Sequence, residues 1–199
     1  MTKLNLGFFA SHEGTNMQAI IDACKNGQLN AKPCVVISNN SKAGAILRAR
    51  KEGILFYHLS GKTHPEFDEL DKAILNALKS NHVSVIILAG YMKKIGPKTL
   101  AAYEGRILNI HPALLPKYGG KGMYGKYVHE AVLASCDKVT GVTIHIVDAE
   151  YDHGPIIAQC EIPVLEDDTV ETLSQRVLQR EHEFFVESLQ EIAKGKIQL

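Results

Sequence analysis

Leu4-Asn5-Leu6-Gly7-Phe8-Phe9-Ala10-Ser11-His12-Glu13-Gly14-Thr15-Asn16-Met17-Gln18-Ala19-Ile20-Ile21-Asp22-Ala23-Cys24-Lys25 joins an apolar run, a polar turn and an amphipathic stretch. The run 4–10 is apolar nearly throughout, the pattern of a parallel strand buried on both faces. From Thr15 onward Met17, Ile20, Ile21 and Cys24 share one helical face. Thr15-x-x-Gln18 has the form of a capping box and Gly27 supplies a stop. A strand that feeds a helix through a short turn is the first half of a βαβ unit. It sets the free N–H groups of a helix N-terminus at the carboxyl end of a strand.

Similar short β-branched runs follow at 35–38, 55–59, 83–89, 107–110, 142–147 and 156–162. Between them Phe67, Leu70, Ile74 and Leu78 recur at helical spacing after Pro65. A long helix over 170–194 carries Leu173, Val177, Leu178, Phe184, Phe185, Leu189 and Ile192, with Gly195 as its stop. Strand and helix alternate through about the first 110 residues, which predicts an α/β fold built on a doubly wound, mostly parallel, Rossmann-like sheet. One domain over 1–199 is expected, since a single core commonly serves a chain of about 100 to 200 residues. Ligands of such sheets bind beyond the carboxyl ends of the strands, and the longest irregular stretch, 111–125, is rich in Gly and Pro.

Composition narrows the partners. Lys plus Arg equals Asp plus Glu at 22 each, so the chain lacks the cationic field that bulk nucleic-acid binding draws on. A small anion needs only a few local donors, and a small-molecule ligand is expected. Cys24, Cys34, Cys136 and Cys160 form no C-x-x-C pair and read as reduced core thiols. The opening apolar run is too brief for a secretion signal and no stretch has the length of a membrane span. A cytoplasmic protein without membrane contact is the expectation.

Three constellations carry chemistry. The turn Ser11-His12-Glu13-Gly14-Thr15-Asn16 is an anion site by geometry; having one glycine rather than G-x-G-x-x-G, it suits a phosphate monoester better than a dinucleotide. A capped helix start without a ligand is the other reading. Asn109-Ile110-His111-Pro112 puts an amide and an imidazole on one face of an extended chain. An amide donor beside a titratable ring suits reaction at a carbonyl, where an oxyanion develops and protons move. Alone, His-Pro also reads as a plain turn. Asp148-Ala149-Glu150-Tyr151-Asp152-His153-Gly154-Pro155 offers the partner carboxylate, or else a solvated acidic turn. No helical H-x-x-x-H or cysteine pair accompanies it, and no metal is expected.

Together, Asn109-Ile110-His111-Pro112-x-Leu114-Leu115-Pro116-Lys117-Tyr118, His145-x-x-Asp148-x-x-x-Asp152-x-Gly154-Pro155 and Ser11-x-x-Gly14-Thr15-Asn16 resemble the phosphoribosylglycinamide formyltransferase family along nearly the whole chain. The resemblance implies a formyltransferase fold and transfer of a formyl group from 10-formyltetrahydrofolate, as cosubstrate, to the amine of glycinamide ribonucleotide in purine synthesis. It implies that Asn109 and His111 stabilise the oxyanion and that Asp152 interacts with His111, whose charged form a nearby carboxylate favours. It also implies substrate contacts for Gly14, Thr15 and Asn16 at the phosphate and for Glu181 at the ribose. On its residues alone, Glu181 also reads as a flank carboxylate reaching solvent. Folate contacts fall to Tyr91, Met92, Lys93, Lys94, Ile95 and the backbone near Asp148.

Two places depart from the family pattern: Lys93-Lys94 stands where an Arg and an aliphatic residue are common, and Gly119-Gly120-Lys121-Gly122-Met123-Tyr124-Gly125 is unusually dense in glycine. That loop reads either as a lid or as plain loop variation. A formyltetrahydrofolate hydrolase or a non-catalytic nucleotide-binding module are the alternative functions, and a monomer or a homodimer fits either way.

Overall fold

The computed structural model describes residues 3–199. Along the chain run β1 (Leu4–Phe9), α1 (Thr15–Lys25), β2 (Ala31–Ser38), α2 (Gly44–Lys51), β3 (Leu55–His58), α3 (Phe67–Ser80) and β4 (Val85–Leu88). α4 (Pro97–Ala102), β5 (Ile107–His111), α5 (Lys126–Ala134), β6 (Val139–Ile146), β7 (Ile156–Pro163) and α6 (Val170–Ala193) complete it. The strands form one sheet in the order β3-β2-β1-β4-β5-β6-β7. β3, β2, β1, β4 and β5 pair in parallel; β6 and β7 run antiparallel at one side. The α/β, doubly wound, mostly parallel architecture is therefore present. Between β1 and β4 the winding reverses, which opens a crevice at the strands' carboxyl ends.

Strand alternation divides the core. Leu6 and Phe8 of β1 point to one face, under α1 and α6, whereas Phe9 points to the other, with Ile74 and Leu78 of α3. Leu6, Phe8 and Phe9 are all fully buried, which explains why the run is apolar at every other position and between. α4 begins with Pro97 at its first turn, and its free N–H groups are met by the buried Asp71 carboxylate of α3, 2.7 Å from Lys98 N and 3.2 Å from Thr99 N.

Several local expectations change. Thr15 and Gln18 form no capping box: Gly14 is the N-cap, left-handed at φ 67°, and no side chain caps the helix. Gln18 Nε2 donates instead to Asp22 and Glu52, at 2.9 and 3.1 Å. A Cβ on Gly14 would lie 2.8 Å from that of Ala45, so this residue lets the start of α1 close against α2. The capping box belongs to α6, where Thr169 and Thr172 serve each other's backbone N–H groups. The cysteines are free, and Cys24, Cys34 and Cys160 are half-buried against the core, whereas Cys136 is exposed and is not a core thiol. Among the described residues no helix is long and apolar enough to cross a membrane.

Candidate active site

A cavity of about 660 Å³ opens at the carboxyl edge of the sheet, over the ends of β1, β4 and β5. Its walls are the turn before α1, the segment 88–95 after β4, the end of β5, the glycine loop with α5, the β6–β7 turn, and the face of α6 that carries Val177 and Glu181. All thirteen site residues expected from the sequence line it.

Asn109 and His111 leave the same face of β5. Asn109 Nδ2 donates to His145 Nε2 at 3.1 Å and lies a long 3.4 Å from Asp152 Oδ1. His145 faces Asn109 directly across the antiparallel pair. Its Nδ1 is 2.9 Å from the Ile146 carbonyl and donates to it, which leaves Nε2 with a lone pair for the Asn109 amide. The buried His111 ring donates from Nε2 to the Tyr118 carbonyl at 2.7 Å, and turns Nδ1 toward Asp152 Oδ2 at 3.5 Å. A neutral ring with its hydrogen on Nε2 has none to offer Asp152, consistent with that longer separation.

The electrostatics qualify one expectation. The Asp152 charge does push the His111 imidazole up, but burial acts more strongly and the net direction is down. At neutral pH the resting ring is uncharged, so the anticipated cationic donor is not the resting state. Burial raises the Asp152 carboxyl; the nearby His145 and His111 rings and the Gly120 N–H, which donates at 3.0 Å, outweigh it and hold the carboxyl below its ordinary value.

Backbone devices fix these groups. The stretch after His111 is tied to β6 and β7 by the buried Thr143 hydroxyl, which accepts from Leu115 N at 3.0 Å and donates to Ala113 O at 2.6 Å. Gln159 Nε2 donates to both Leu115 O and Thr143 Oγ1, at 3.0 and 2.8 Å. Asp152 is itself left-handed at φ 53°, a conformation that Asp tolerates better than most residues. A Cβ on Gly154 would collide with the Ile146 carbonyl, so the turn that aims Asp152 requires glycine there.

At the α1 end, Gly14, Thr15 and Asn16 sit where the helix N-terminus meets the cavity. Asn16 Nδ2 donates to Glu181 Oε2 at 3.2 Å, which joins α1 to α6, while Asn16 Oδ1 is buried with no partner. Glu181 is 7% exposed, so the alternative of a solvated flank carboxylate does not hold. Burial pushes its carboxyl up to about 7, with the Asn16 amide opposing.

The third arm holds Tyr91, Met92, Lys93, Lys94, Ile95 and Asp148. The Ser11 hydroxyl accepts from Met92 N at 2.8 Å and Ser11 N donates to Gly90 O at 3.0 Å, which fastens this segment to the end of β1. Tyr91 stands edge-on to Phe9, with ring centroids 5.1 Å apart. Lys94 Nζ donates to Ala149 O at 3.3 Å and lies over the Tyr151 ring, so it spans the cavity mouth; Lys93 is exposed. Asp148 is oriented by His153 Nδ1 and by Glu150 N, both at 2.8 Å.

Sequence reasoning quoted His145 and Ser11 without giving either a task, and did not single out Thr143 or His129. His145 is recognisable only once β5 and β6 are paired in register. Among the described residues no group of three or more His, Cys, Asp or Glu side chains is arranged to hold a metal ion.

A doubly wound sheet with an amide, two imidazoles and a carboxylate gathered at its switch point is an enzyme-like α/β architecture suited to chemistry at a carbonyl group. The formyl transferase family matches residues 4–189, and the chain belongs to that family. It is 40% identical over 194 residues to the chloroplastic phosphoribosylglycinamide formyltransferase of Vigna unguiculata, covering 96% of this chain but 62% of that protein. The phosphoribosylglycinamide formyltransferase of Haemophilus influenzae is 36% identical over 189 residues, covering 95% of this chain and 87% of that protein. Among solved structures, glycinamide ribonucleotide transformylase 1 from Symbiobacterium toebii superposes with a TM-score of 0.91 at 38% identity, covering 99% of this chain and 91% of that one.

Proposed function

We propose that this chain transfers the formyl group of 10-formyltetrahydrofolate to the primary amine of glycinamide ribonucleotide, a step of purine synthesis, and that residues 1–199 act as one formyltransferase domain. The observation that carries this reading is the Asn109–His145–Asp152–His111 cluster lying in one cavity with two further groups of lining residues, Gly14, Thr15, Asn16 and Glu181, which we assign to phosphate and ribose, and Tyr91 to Ile95 with Asp148, which we assign to folate. The names of the bacterial and plant relatives support formyl transfer to the glycinamide substrate.

The amine nitrogen attacks the formyl carbon, and the carbonyl oxygen takes up negative charge. Asn109 Nδ2 keeps one hydrogen on His145 and turns the other, now weakly held by Asp152, onto that oxyanion. The attacking nitrogen becomes acidic and loses a proton to His111 Nδ1, the nitrogen left open because Nε2 is committed to Tyr118. Asp152 stabilises the imidazolium so formed. The proton then passes to the folate nitrogen as its bond to carbon breaks, which balances the transfer without a metal or a covalent enzyme intermediate.

The test follows the absorbance change as formylfolate becomes tetrahydrofolate, with and without glycinamide ribonucleotide. Loss that depends on the amine is expected. Loss without the amine would assign a hydrolase, and no loss in either case would leave a nucleotide-binding module.

A further inference from the structure

His129 stands outside the cluster described above, yet it is 3% exposed, lines the same cavity and has an Nδ1 sealed from solvent with no hydrogen-bond partner. Such orphans are uncommon in folded proteins. Burial, and then His111 whenever that ring is protonated, lower its basicity, so the resting ring is neutral and carries a single N–H. A buried N–H without an acceptor is rarer than an underused lone pair, which places that hydrogen on Nε2. With Nδ1 enclosed, the ring meets the cavity by its other edge, the one that bears Nε2.

The position of α5 says what this donor meets. α5 follows the glycine loop, packs on α6, which holds Glu181, and brings His129 within electrostatic range of His111. Resting on the function proposed above, ribose lies at Glu181 and the reacting amine at His111. Between those groups glycinamide ribonucleotide has an amide, whose carbonyl oxygen exchanges water for a protein donor when the ribonucleotide enters the cavity. We infer that His129 is a specificity-determining residue of this site, its Nε2–H donating to the amide carbonyl of the amine substrate.

His129→Leu removes the donor at similar volume, and His129→Gln restores an N–H near the place of Nε2. Glycinamide ribonucleotide is titrated calorimetrically into each protein without folate, and steady-state constants for both substrates and Tm are measured alongside. A single neutral hydrogen bond corresponds to roughly a tenfold change. The Leu variant is expected to bind the ribonucleotide about tenfold more weakly, with its KM for formylfolate and its Tm unchanged, and the Gln variant to recover most of that loss. An analogue whose amide carbonyl is reduced to methylene is expected to bind wild type and the Leu variant equally.

Unchanged ribonucleotide affinity in the Leu variant overturns the inference. So do equal losses in the Leu and Gln variants accompanied by a fall in Tm, which would make His129 a packing residue. If the analogue still distinguishes wild type from Leu, the donor serves another atom and the assignment to the carbonyl is wrong. A wild-type protein that does not bind the ribonucleotide removes both this inference and the proposed function. One that binds it but transfers nothing removes the function alone, because the affinities still decide the role of His129.

Discussion

Asn109 is half-exposed in the middle of β5, and its amide is held by His145 at 3.1 Å and loosely by Asp152 at 3.4 Å. Its side-chain hydrogen bonds all fall within the cluster, and the oxyanion of the proposed reaction has no other amide donor there. Asn109→Ala is therefore expected to lower kcat about 10² to 10³-fold with little change in Tm, measured by steady-state kinetics and thermal unfolding. His111 adds a pH signature. Its basicity is depressed below the usual 6.5, so it gains a proton, and Nδ1 loses its lone pair, only as pH falls below that value. The acid limb of kcat/KM should then lie below pH 6.5. In Asp152→Asn the charge that props the ring up is gone, so the limb should move further to acid while the plateau falls. A limb above 6.5 that persists in Glu181→Gln would contradict the role given to this ring.

At the level of elements, the stretch 112–116 is rigid because Thr143 and Gln159 reach it from β6 and β7. Thr143→Val keeps the shape but leaves the Leu115 N–H and Ala113 carbonyl unpaired inside the protein. A loss of about 2 kcal/mol is expected, read by urea unfolding, with a fall in kcat because His111 sits at the head of the tied stretch. The same elements explain what the sequence disclosed. β1, its turn and α1 are legible because local pattern, apolar run and helical stripe agree with the fold. α5 is not: Lys126–Ala134 is short and follows Gly125, and it buries only Val128, His129 and Val132. The start of β6 was missed because Gly141 interrupts the pattern, though a Cβ there would strike the Cys160 carbonyl. Asp152 and Glu181 emerged from resemblance rather than pattern, since a turn carboxylate and a helical glutamate are ordinarily solvated. The Asn109–His145 contact depends on strand register, which no local pattern encodes.

Across the whole molecule, the buried Glu181 links stability to pH. In the folded protein it keeps its proton up to about pH 7, against 4.5 for the ordinary carboxyl, so the folded state binds the extra proton between those values and stability falls as pH rises through them. The full effect is about 3 kcal/mol above pH 7. Glu181→Gln removes it: its Tm should exceed that of wild type by several degrees at pH 8 and converge with it near pH 5. An equal difference at both pH values would show that ionisation is not the cause. The hydrogen bond between Asn16 and Glu181 joins residues 165 positions apart, and β7 reaches α6 through a surface turn that includes exposed Leu165. A chain cut in that turn would leave the sheet, with Asn109, His111 and Asp152, on one fragment and Glu181 on the other. Neither piece alone would own a whole site, so the proposed formyl transfer would become a readout of fragment complementation.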